Sequence, residues 1–163
     1  MPRFATLLTA ALVLCTLMPA ARAGVEVVDG DGLRVGSERV RLWGIDAPEL
    51  DQECKRDGAS YPCGQHARAA LAALVAAGEV RCETVNHDRY GRTVARCLVE
   101  GRDLGAEMVR LGWAVDFPRY SEGFYREQER DARKARRGVW ADGEFMPPVT
   151  WRRRHRPAGK PRS

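Results

Sequence analysis

The stretch VEVVDGDGLRVGSERVRLW, Val25 to Trp43, decides how this chain is read. Val25 to Val28, Gly32 to Val35 and Glu38 to Trp43 alternate apolar and polar side chains, the period of a half-buried strand. Gly36-Ser37 supplies a tight turn between the second and third. An antiparallel meander is therefore expected. Its bends carry the charge: Asp29-Gly30-Asp31 follows the first strand, and Gly44-Ile45-Asp46-Ala47-Pro48-Glu49 follows the third. Carboxylates at strand ends remain within reach of solvent and ligands.

Outward from this core, Val80 to Val85 and Thr93 to Val99 read as a second hairpin around Asn86 to Gly91. Between meander and hairpin, Gly64 to Gly78 sets Ala67, Ala70, Leu71, Leu74 and Val75 on one helical stripe. Asp103 is placed to cap a second helix whose Leu104, Met108 and Leu111 face inward before Gly112. Ser121 is placed to cap a third, running to about Arg137 with Phe124, Gln128, Ala132 and Ala135 at helical spacing. Five strands with a helix before the last pair predict an α+β, mostly β fold. It is a small five-stranded OB-type barrel with about three helices packed on it.

The two ends differ from this body. Residues 1–23 place Arg3 before an apolar run, Phe4 to Met18, that leads to Ala21-Arg22-Ala23, the build of an export signal with a small-x-small cleavage site. The remainder divides into one domain, 24–150, and a basic tail, 151–163, read as disordered. Of 27 basic residues, two lie in the signal and six in the tail, while all 22 acids lie between. The body is thus slightly acidic, which excludes a broad basic nucleic-acid surface. A polycationic tail can raise local concentration on a polyanion or simply be solvated. Cys54, Cys63, Cys82 and Cys97 form an even set in an exported chain, which favours disulfides over metal thiolates. Three pairings are possible. Cys82 and Cys97 sit on the two strands of the hairpin and can face each other, and Cys54 with Cys63 then closes a loop.

The chemistry concentrates in the charged bends. Asp31 and Asp46 offer the negatively charged oxygens that a hard cation seeks, with positions left for a phosphate oxygen and a water. Pro48 fixes the backbone that projects Glu49 toward the same region. Arg41, and Arg92 of Asp88-Arg89-Tyr90-Gly91-Arg92, supply guanidinium forks that suit phosphate oxygens. For Arg92, a salt bridge to Asp88 is a competing use. His66, His87 and His155 lack zinc or relay spacing, and no nucleophile elbow or phosphate-cradling glycine loop appears. Paired carboxylates would also serve a glycosidase, but the arginines would then have no task.

Val28-Asp29-Gly30-Asp31, Arg41-Leu42-x-Gly44-Ile45-Asp46-Ala47-Pro48-Glu49, Asp88-Arg89-Tyr90-Gly91-Arg92 and Gly138-Val139-Trp140 occur in an order and spacing that resemble the staphylococcal nuclease, or thermonuclease, family. The resemblance implies an OB-fold nuclease that cleaves DNA and RNA with Ca2+, held by Asp31, Asp46 and the backbone carbonyl of Ala47. It further implies Glu49 as general base or water-orienting group, Arg41 and Arg92 as phosphate ligands, and ends carrying 3′-phosphate. Arg89, Tyr90 and Tyr120 are candidate strand contacts, with core or rim packing the alternative for each. Gly32 and Ala47 depart from the family, where threonines are frequent, and the loss of a hydroxyl at Gly32 predicts weaker support of the metal shell. The expectation is a monomeric, secreted or periplasmic calcium-dependent endonuclease with little sequence preference and no stable membrane association after signal cleavage. The alternative is a catalytically silent module that binds nucleic acid or protein.

Overall fold

Alternation in the meander produces β1 (Val25–Val27), β2 (Gly32–Val35) and β3 (Glu38–Leu42), paired antiparallel with Val27 opposite Leu33 and Leu33 opposite Val40. Val27, Leu33, Val40 and Leu42 point into the core, and Gly36, at φ +60°, turns β2 into β3. These positions come from a computed structural model that describes residues 24–141 and 145–155. The expected export signal, 1–23, and the last eight residues of the tail lie outside the described residues.

After β3 the chain runs through β4 (Ile45–Asp46), a small hairpin of β5 (Cys54–Arg56) and β6 (Ala59–Tyr61), and α1 (Cys63–Val75). It returns as β7 (Val80–His87) and β8 (Thr93–Val99). β8 lies parallel to β3 and antiparallel to β7, giving the sheet order β1-β2-β3-β8-β7, and β9 (Arg102–Asp103) adds to β8. Thr93, Ala95, Cys97 and Val99 are buried at every second position of β8, as a central strand requires. The curled sheet, with helices packed on it, is the expected OB-type α+β arrangement.

α1 buries Ala67 and Leu71 completely. α2 (Leu104–Arg110) begins as expected: the Asp103 carboxylate accepts the Ala106 amide at 3.1 Å. Leu104, Met108 and Val109 carry its inner face, while Leu111, expected inward, is 39% exposed at the helix end. β10 (Val115–Asp116) then pairs with β4, setting Val115 opposite Asp46.

The third helix differs from the expectation. It is split into α3 (Pro118–Ser121) and α4 (Arg126–Lys134), because Glu122 is left-handed at φ 54° and Gly123 follows at φ +83°. Ser121 is no cap: its hydroxyl donates to Asp116 Oδ1 at 2.5 Å and accepts the Gly123 amide at 3.0 Å. Tyr125 is the buried ring, edge-on to Trp43, and Phe124 is 53% exposed.

The tail is also corrected. Residues 151–154, expected to be disordered, form the end of α5 (Pro148–Arg154). Pro148 starts this helix at a position where its missing N–H costs nothing. Phe145 packs edge-on against Trp140 at 5.2 Å, and Gln52 Nε2 donates to the Met146 carbonyl at 2.9 Å. These contacts dock the helix on the domain.

Both expected disulfides are present, Cys54–Cys63 and Cys82–Cys97. Cys82 and Cys97 are direct cross-strand partners. By loop closure each contributes about 2–3 kcal/mol.

Candidate active site

Arg41 lies opposite Gly32 in the β2–β3 ladder, one residue from Asp31, and Asp46 follows in β4. This puts three groups together. Arg41 Nη1 meets Asp31 Oδ1 at 2.7 Å and its Nη2 meets Asp46 Oδ1 at 3.0 Å, so one planar fork spans both carboxylates. Asp31 Oδ2 accepts the Ala47 amide at 3.0 Å. Asp31 is 5% exposed and Asp46 1%. Burial pushes Asp31 up to about 7, although the Arg41 charge and the Ala47 N–H favour its ionised form; Asp29 and Asp46 beside it add to the rise.

Asp29 is a neighbour that the sequence did not single out as a site residue. Its Oδ1 accepts the Asp31 amide at 3.0 Å and fixes the bend. A Cβ at position 32 would lie 2.7 Å from that oxygen, so Gly32 leaves room for Asp29 where the family often has threonine.

Glu49 is positioned by its backbone. Its carbonyl accepts the Gln52 amide at 2.8 Å, and its own amide donates to Gln52 Oε1 at 3.3 Å. Against this turn lies the start of α1, where a Cβ on Gly64 would stand 1.7 Å from the Glu49 carbonyl oxygen. Only glycine permits that approach. Gln52, 1% exposed, thus joins the Glu49 turn, α1 through the Gly64 amide, and the Met146 segment.

Arg92 makes the competing contact expected for it: Nε meets Asp88 Oδ2 at 2.7 Å, and Asp88 Oδ1 accepts the amides of Tyr90 and Arg92. Partial burial opposes the Asp88 charge, but these donors outweigh it and hold the carboxyl below its ordinary value. The pair makes a rigid turn. The Arg89 guanidinium lies 4.8 Å over the Tyr90 ring, and Phe117 packs edge-on to Tyr120 at 4.9 Å. Asp31, Arg41, Ala47, Glu49, Arg89, Tyr90, Arg92 and Tyr120 all line one cleft of about 610 Å³, and Asp46 is buried beside Arg41. Every expected metal, catalytic and strand-contact residue except Asp46 therefore lines a single cavity. Asp46, expected within reach of solvent, is buried at 1% exposure and meets the cavity through its bonds to Arg41 and Arg152.

One residue of this cleft is not foreshadowed by the sequence motifs. Arg152, from α5, meets Asp46 Oδ2 at 2.9 Å and Glu49 Oε1 at 2.5 Å. Burial opposes its charge, yet hydrogen bonds and the charges of Asp46 and Glu49 hold the guanidinium above its ordinary value. The signal that could have found it is Pro147-Pro148, a helix start ahead of the basic run.

Among the described residues no group of three or more His, Cys, Asp or Glu side chains forms a metal cluster. At the Arg41 end of the cleft the acidic groups are two carboxylates, Asp31 and Asp46, converging on one guanidinium, with the Ala47 amide donating to Asp31. That donor chemistry suits a hard cation and disfavours a soft one.

Fold and cleft together define a small OB-type domain with an acid and guanidinium site at the ends of its strands. A sequence profile described as staphylococcal nuclease homologue matches residues 39–142, and the chain belongs to that family. It is 38% identical over 117 residues to the succinoglycan biosynthesis protein ExoI of Rhizobium meliloti, covering 70% of this chain and 61% of that protein. It is 32% identical over 162 residues to an uncharacterized endonuclease of Haemophilus influenzae, covering 92% and 86%. A further uncharacterized endonuclease, of Escherichia coli O157:H7, is 32% identical over 136 residues, covering 80% and 83%. The chain thus spans about three-fifths of the first relative and most of the other two.

Proposed function

We propose that this protein is an exported, calcium-dependent nuclease that hydrolyses phosphodiester bonds of DNA and RNA with little sequence preference. The observation that carries this reading is the convergence of Asp31 and Asp46 on one guanidinium, with Glu49 and Arg92 on the same cleft. Family membership supports nucleic acid as substrate, and two disulfides support an oxidising destination.

Asp31, Asp46 and the Ala47 carbonyl would hold the calcium ion, which supplies charge neutralisation and polarisation of the phosphodiester when bound. Glu49, with its side chain 35% exposed at the cleft, takes a proton from the attacking water. Arg92, oriented through Asp88, and Arg41 bind the non-bridging oxygens on which charge accumulates. Water oxygen bonds to phosphorus as Glu49 takes its proton, the bond to the 5′ oxygen breaks, and that oxygen takes a proton from solvent water to become a 5′-hydroxyl. The other product ends in 3′-phosphate. Arg89, Tyr90 and Tyr120 border the path of the strand, where rings accept bases by stacking.

The test is a digest of single-stranded DNA, duplex DNA and RNA by the mature protein with calcium, magnesium or chelator, beside Glu49→Gln and Arg92→Ala. Cleavage is expected with calcium alone, reduced about 100- to 10,000-fold in Glu49→Gln. Undiminished cleavage in chelator overturns the metal role. Retention of DNA without cutting under every condition overturns the nuclease in favour of a binding module.

A further inference from the structure

Asp46 has no free carboxylate oxygen in this structure. Oδ1 accepts from Arg41 Nη2 and from Arg152 Nη1, both at 3.0 Å, and Oδ2 accepts from Arg152 Nη2 at 2.9 Å. Arg152 Nη1 also donates to Glu49 Oε1 at 2.5 Å. One guanidinium from the end of the chain thus covers a proposed cation ligand and the proposed general base together.

A cation bound at Asp46 competes with these forks for the carboxylate, since a divalent ion and a guanidinium on one oxygen repel each other. Arg41 is the harder to move. It extends from β3 within the sheet and is also fixed to Asp31 Oδ1 and to the Ile45 carbonyl. Arg152 comes from a seven-residue helix, its side chain is 37% exposed, and it is held through its bonds to the two acids. The segment leading to it is tethered separately, by Gln52 to the Met146 carbonyl and by Phe145 on Trp140, so α5 can leave the acids while its base stays attached.

We propose that Arg152 is a built-in competitor of the divalent cation: it latches α5 onto Asp46 and Glu49 in the cation-free protein and yields as the site fills. The latch rests on the reading of Asp31 and Asp46 as a cation site. Binding and latching are then reciprocal, so removing one strengthens the other by the same factor. A strut that merely props the two acids apart would act in the opposite direction, since its loss would disorganise the cation ligands.

Calorimetric titration of calcium into the substrate-free mature protein, Arg152→Ala, Arg152→Gln and Arg153→Ala tests this. Arg152→Ala and Arg152→Gln are expected to bind calcium about 5- to 150-fold more tightly than the parent, the usual range of such coupling. Arg153→Ala, on the exposed side of the same helix, is expected to match the parent. In the unsubstituted protein, saturating calcium is expected to accelerate amide exchange across residues 149–154, a readout that needs no variant to fold. Equal or weaker binding by the Arg152 variants, or exchange unchanged by calcium, overturns the latch and leaves the cation site standing. No calcium binding by any of the proteins overturns the cation site and the latch with it.

Discussion

Asp31 shows how much a single carboxyl can record about its surroundings. Burial raises its pKa from an unfolded 3.8 to about 7, so the folded protein holds this proton more tightly than the unfolded chain does. The stabilising contribution is complete below about pH 4 and is lost as pH rises toward 7. In chelator, the stability of the parent relative to Asp31→Asn is therefore expected to fall across that window, as read by denaturant unfolding at several pH values. A difference that stays flat throughout the window contradicts the buried environment assigned to it. The neighbourhood of Asp31, Arg41, Asp46 and Glu49 was legible in the sequence because they sit in short motifs at strand ends, while their roles, and that of Arg92, are what the family resemblance implies. Arg152 was not legible. Its partners, Asp46 and Glu49, lie more than 100 residues away in sequence, and nothing local separates a docked basic helix from a solvated tail. Gln52 was hidden for the same reason, since its importance lies in three segments that meet only after folding.

Elements, rather than residues, decide how tightly the site is held. The start of α1 presses its backbone onto the Glu49 turn so closely that a methyl group at Gly64 would overlap the carbonyl oxygen, at 1.7 Å. Gly64→Ala is expected to destabilise the protein by about 1–3 kcal/mol and to depress activity beyond what the remaining folded fraction explains. Unfolding midpoints and specific activity measured together check this; an unchanged midpoint rules out the contact. The three meander strands, β8 and α2 followed their sequence signals because alternation and the Asp103 cap are local features that tertiary packing reinforces. By contrast β4, β5, β6, β9 and β10, each two or three residues long, were not expected, and β7 runs to His87 rather than Val85. The third helix did not follow. Its spacing is continuous across Phe124 to Ala135, but the Asp116 carboxylate takes the Ser121 hydroxyl and the Tyr125 amide, turning the chain at Glu122 and Gly123. Bonds from outside the helix overrode the periodicity.

For the molecule as a whole, charge is divided between a cleft in which carboxylates and guanidinium groups alternate and a basic end. Arg152 faces inward, whereas Arg153 and Arg154 are exposed on the same helix, where a polyanion can reach them. Replacing Arg153 and Arg154 together by alanine is expected to weaken single-stranded DNA binding and to flatten its salt dependence, by about 0.7 in log–log slope for each phosphate no longer neutralised. Affinities at several salt concentrations measure this, and an unchanged slope removes these two side chains from the path of the strand. The two disulfides tie down the Glu49–α1 connection and the hairpin that carries Arg92, so reduction is expected to lower the unfolding midpoint. Mechanism and latch alike depend on the two buried acids sharing one ion. A crystal structure of the protein grown with calcium is the most direct measurement: a single cation is expected about 2.3–2.6 Å from oxygens of Asp31, Asp46 and the Ala47 carbonyl, with Arg152 withdrawn. Density showing no cation at these oxygens and Arg152 still on Asp46 at saturating calcium, in protein that cuts DNA, would contradict it.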